Sequence, residues 1–70
     1  MPYELKVEGF KKAVPKADVI SVHAFYGYGD TKAFIAESHN MSVKKVSAIL
    51  STTLPDGWQA EAVAASRSWN

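Results

Sequence analysis

The stretch DVISVHAFYGYGDTKAFIAES, Asp18 to Ser38, decides the fold. Val19, Ile20, Val22, Phe25, Tyr26 and Tyr28 are β-branched or aromatic, types that lose side-chain freedom in a helix and pack well on a pleated surface. The run therefore predicts a strand. Gly29-Asp30 then serves as a hairpin loop, since glycine at the first central position accepts the positive φ of a type II′ turn. In that register Tyr28 faces Thr31 and Phe25 faces Phe34. One face holds Ile20, Val22, Ala24, Tyr26, Ala33 and Ile35 and suits a core. The other holds Ser21, His23, Phe25, Phe34, Ala36 and Ser38, with two aromatics side by side. A slip of one residue, which Gly27 permits, exchanges the two faces.

Outward from this stretch the signals are simpler. Tyr3 to Val7 alternates, with Tyr3, Leu5 and Val7 against Glu4, Lys6 and Glu8, and predicts a first strand. Gly9 ends it, and the lysine-rich Phe10 to Ala17, broken by Pro15, reads as a loop or a single helical turn. Asn40 and Ser42 supply capping oxygens, and with Ser42 as cap Met41 staples against Val46. Val43 to Leu54 then aligns Val43, Val46, Ile49, Leu50, Thr53 and Leu54 on one side of a helix that Pro55-Asp56-Gly57 stops. Trp58 to Trp69 reads two ways. As a strand it aligns Trp58, Ala60, Ala62 and Ala64; as a helix it aligns Trp58, Ala62, Ala65 and Trp69. Topology favours the strand, which widens the sheet under the helix. The expectation is one α+β domain over residues 1–70, a small antiparallel sheet in the order β-β-β-α-β with one amphipathic helix across one face.

Composition narrows the function. Seventy residues make one small domain, which buries only about 60% of its unfolded surface. The absence of cysteine removes disulfides and thiolate metal sites and points to an intracellular, cytoplasmic protein. No long apolar run or signal peptide is visible, so no membrane partner is expected. A formal charge of +1 gives no global basic excess, although a local basic patch is compatible with it. His23 and His39 lie outside any helical metal-pair spacing, and no G-x-S-x-G elbow is present. No metal, cofactor or catalytic residue is expected, and the chain reads as a binding protein rather than an enzyme.

The segment Ile35 to Leu50, IAESHNMSVKKVSAIL, resembles the helix-turn-helix of bacterial and phage repressors. Ile35, Ala36, Glu37, Met41, Ser42, Val46, Ser47 and Leu50 stand at the motif's offsets, while Asn40 replaces the usual turn glycine and His39 an apolar packing residue. The resemblance implies a recognition helix over Ser42 to Ser51, with Ser42, Val43, Lys44, Lys45 and Ala48 approaching bases or phosphates. It also implies that Asp18 to Tyr26 is a first helix, as in small Cro-like proteins. A competing outline, FIAES followed by a helix and LPDGW, is similar to small phage proteins that inhibit host enzymes, including the T7-type inhibitor of RNA polymerase. The same outline resembles the second half of an RNA-recognition motif, where open-face aromatics stack bases.

The leading expectation is thus a protein that binds another protein, a phage-type modulator or inhibitor, through Ser21, His23, Phe25, Tyr28, Lys32 and Phe34 on the open sheet face. The alternative is a repressor-like DNA binder. A homodimer formed through the edge strand Tyr3 to Val7 is a third arrangement.

Overall fold

A computed structural model describes residues 3–68 of the chain. Its order is β1 (Glu4–Leu5), β2 (Val14–Pro15), α1 (Lys16–Tyr28), α2 (Lys32–Ser38), α3 (Val43–Ser51) and α4 (Trp58–Ser68). Among the described residues, four helices and one short ribbon replace the expected β-β-β-α-β sheet. The expected hairpin over Asp18 to Ser38 is instead a pair of helices, α1 and α2.

The reason lies in what surrounds α1. It packs against α2, α3, α4 and both strands, so much of its circumference is covered and an apolar surface on several sides is what the position requires. Val19 and Val22 are fully buried, and Ile20 and Phe25 pack against the core. The helix penalty of a β-branched residue is at most about 0.7 kcal/mol. Burying its side chain returns about 1.5–3 kcal/mol. Tertiary burial wins.

The glycine corner meets the positive-φ requirement expected of it, but in a helix end rather than a hairpin. Gly29 has φ +114°, and its N–H reaches the Tyr26 carbonyl at 3.2 Å while the Asp30 N–H reaches the Phe25 carbonyl at 3.1 Å. That pair of bonds is a Schellman motif closing α1. A helix end and a type II′ hairpin both ask for positive φ at this glycine, so the residue alone does not separate them.

The terminal segments carry the other corrections. Only Glu4–Leu5 of the first strand is paired, and its antiparallel partner is Val14–Pro15, inside the segment expected to be a loop. Leu5 and Val7 are buried as the alternation required, but Tyr3 is 79% exposed. The Val43 helix stops at Ser51 rather than Leu54, because Thr52 turns extended and Leu54 precedes Pro55, which disfavours helical backbone before it. The last segment is a helix rather than a strand: it lies on α1, so no sheet is there to extend, and its alanines suit a helix. Trp58 and Ala62 are its buried positions and Ala65 is half-buried; Trp69, the fourth residue of the helical face, lies outside the described residues. Lys16 spans α1 and α4, with its ammonium 2.8 Å from the Glu61 carboxylate and 5.7 Å from the centre of the Trp58 ring.

Candidate nucleic-acid interface

α2 ends as α1 does. The Met41 N–H bonds the Ala36 carbonyl at 2.9 Å and the Asn40 N–H the Glu37 carbonyl at 3.3 Å, around Asn40 at φ +54°. Asparagine is the non-glycine residue that most readily takes this left-handed conformation, so the departure from the repressor pattern at the turn is sterically met. Ser42 then starts α3, its Oγ accepting the Lys45 N–H at 3.1 Å. Two short helices joined by His39-Asn40-Met41-Ser42 follow.

His39 explains the second departure. The Ile35 carbonyl, 2.8 Å from Nδ1, can only accept, so Nδ1 carries a proton. Nε2 lies 2.7 Å from Ser21 Oγ on α1, and in the neutral ring it accepts the serine hydroxyl proton. The Phe25 ring meets the imidazole edge-on at 5.0 Å. A polar residue thus fills an apolar packing position because α1 brings a hydroxyl and an aromatic ring to it.

A second histidine holds α3. His23 on α1 donates from Nε2 to the Ile49 carbonyl at 3.3 Å. Burial pushes the His23 imidazole below its ordinary value of 6.5, and the bond to Ile49 opposes this in part. The unfolded chain therefore takes up this proton at higher pH than the folded one. Stability is unaffected above the ordinary value, falls as pH drops through it, and stops falling below the lowered folded value. We expect the urea midpoint to drop as pH falls through the ordinary histidine value of 6.5, and His23→Gln to shrink that drop. Identical pH dependence in the two proteins would exclude His23 as its source.

α3 has one face in the core and one outside. Val46 and Ile49 are fully buried. Lys44, Ser47 and Ser51 recur at helical spacing on the opposite side, where Lys44 and Ser51 are exposed and Ser47 half-buried, while Ala48 is half-buried and packs against the core. Val43, 47% exposed, sits at the first turn beside them. α3 carries Lys44 and Lys45 and no acid. Lys45 leans aside, its ammonium 6.0 Å from the centre of the Phe10 ring. Ser42, Val43, Lys44, Lys45 and Ala48 are thus gathered on one helix; Ser47 and Ser51, absent from that set, share the outer stripe and were legible from the same periodicity.

The residues expected on an open sheet face are dispersed. Ser21 and His23 are engaged with His39 and Ile49, and Phe25 is half-buried against Phe34, 6.3 Å between ring centres. Tyr28 and Lys32 are exposed on different helices, and Phe34 is 52% exposed. Phe25 and Phe34 are neighbours as the hairpin register required, but across a helix corner.

No family model matches the chain, and neither the curated proteins nor the solved structures compared with it give a match. Among the described residues no helix is long and apolar enough to cross a membrane.

Proposed function

We propose that the chain is a DNA-binding regulator that lays α3 in the major groove of duplex DNA. One observation carries the reading: α2 and α3 meet through a left-handed turn at Asn40, and α3 leaves Val43, Lys44 and Ser51 exposed while Val46 and Ile49 are fixed in the core. A helix with its side chains is about 10–12 Å across and the major groove about 12 Å wide. Ser47 and Ser51 are small and let the helix approach the base edges closely. Lys44 suits a guanine O6/N7 or a phosphate, and Val43 a thymine methyl. The reading places the protein with the DNA, which is cytoplasmic in the bacterial and phage settings that the repressor resemblance implies.

A second reading, capture of another protein, draws on Tyr26, Tyr28 and Phe34, each about half exposed where α1 meets α2. Salt separates the two. Selection from a randomised duplex pool, followed by titration of the selected site, is expected to give a recurring motif and an affinity falling with salt at a log-log slope of roughly −4 for four to five phosphate contacts. Failure to bind any duplex at low salt would sink the DNA reading.

A further inference from the structure

Resting on that DNA reading, we infer that the tip of the β1–β2 ribbon is a second contact to the same duplex, with Lys11 and Lys12 gripping the phosphate backbone beside the groove that α3 enters. The tip is built and aimed. Val7 and Val14 are fully buried at its base, and Phe10 packs against the core. Gly9 at φ +89° turns the chain, and the Phe10 N–H closes the turn on the Val7 carbonyl at 3.2 Å. Phe10 is therefore an anchor, and the two lysines that follow it project from a fixed point.

Two separate observations put that point next to α3. The Lys45 ammonium lies 6.0 Å from the centre of the Phe10 ring. Lys6 and Glu8 from the ribbon line a shallow groove whose other wall is Ala48 and Ser51 of α3 with Thr52 and Thr53. The ribbon thus runs along the flank of the helix whose outer stripe faces the bases. Lys11 and Lys12 are exposed and adjacent, and among the described residues neither is in an ion pair. Lys6 lines the same groove and Lys45 reaches Phe10 from α3, while Glu4 and Glu8 are the acids of the ribbon.

Phosphates are the fitting target. A lysine ammonium is a compact charge on a flexible stem with no planar fork, so it neutralises a phosphate without reading a base. The tip contributes affinity and register, and α3 contributes the choice of sequence. A net charge of only +1 is compatible with this contact, because phosphate binding depends on local charge rather than on the sum over the chain.

The test compares wild type with the Lys11→Gln/Lys12→Gln double variant on the selected duplex and on a scrambled one. Both positions are exposed, and circular dichroism checks that the variant is folded. The expected result is a uniform loss on both duplexes, a log-log salt slope shallower by about two, and an unchanged sequence motif. Arg67→Gln is the charge control. It lies on α4, which makes no contact with α3, and is expected to leave the slope unchanged. Sequence-specific binding by wild type with affinity and slope retained in the double variant overturns the ribbon contact and leaves the DNA reading standing. An equal loss in Arg67→Gln also overturns it, since the effect would then be general charge. Absence of duplex binding by wild type, including the case where Lys11 and Lys12 mediate binding to an acidic protein or an anionic vesicle, overturns both.

Discussion

Trp58→Ala is expected to remove most of the stability of the domain. The side chain is fully buried at the start of α4, the largest in the core, and packs where α4 meets α1. Truncating a buried tryptophan costs about 3–5 kcal/mol. A chain of this length has roughly 3.5–10 kcal/mol in total. Urea denaturation followed by circular dichroism should show a midpoint displaced far downward or no folded baseline, and a loss below about 1 kcal/mol would show that α4 is dispensable to the core. The companion Trp58→Phe separates volume from polarity. Trp58 Nε1 is buried with no hydrogen-bond partner, so phenylalanine gives up some volume but also an unsatisfied donor. Its cost should stay within about 1.5 kcal/mol.

The second large effect is on binding. Lys44→Glu should abolish tight duplex recognition while leaving the thermal midpoint within a degree or two, since Lys44 is exposed. Losing one base or phosphate contact costs about 1–3 kcal/mol, a factor of roughly 5 to 150, and the reversed charge adds repulsion from neighbouring phosphates. Lys44→Gln should fall between the two proteins. Fluorescence anisotropy on the selected duplex measures all three. Equal affinities would mean that α3 is not the surface that meets DNA. Val43→Ser offers a finer check on the same helix: replacing thymine by uracil in the site should weaken wild type and leave the variant indifferent.

Much of the α2–α3 unit was legible in the sequence, and the reasons for what was not are specific. Ser42 as a cap and the Val46 and Ile49 spacing located α3 at its first residue, because capping and periodicity are local signals. The offsets from Ile35 to Leu50 likewise predict the α2–turn–α3 arrangement found, with Asn40 in the conformation that the missing glycine would have taken. α1 was lost to local propensity. Its β-branched and aromatic residues describe a buried element without saying which kind, and only the helices around it decide that. Gly29 then fitted the strand reading as readily as the helix end it closes. The pairing of Ser21 with His39 and of His23 with Ile49 joins residues far apart in the chain, which no spacing rule anticipates. Lys11 and Lys12 were visible as charge, but their place beside α3 depends on Val14–Pro15 pairing back onto Glu4–Leu5.

The most direct test of the central claim is to titrate ¹⁵N-labelled protein with a short duplex at low salt and map the backbone amide shifts. Changes are expected to concentrate in Ser42 to Ala48 and Ser51, with a second set at Lys11 and Lys12, all reversed by added salt. Changes confined to the α1–α4 side, around Tyr28, Ser66 and Arg67, or no change at all, would contradict it.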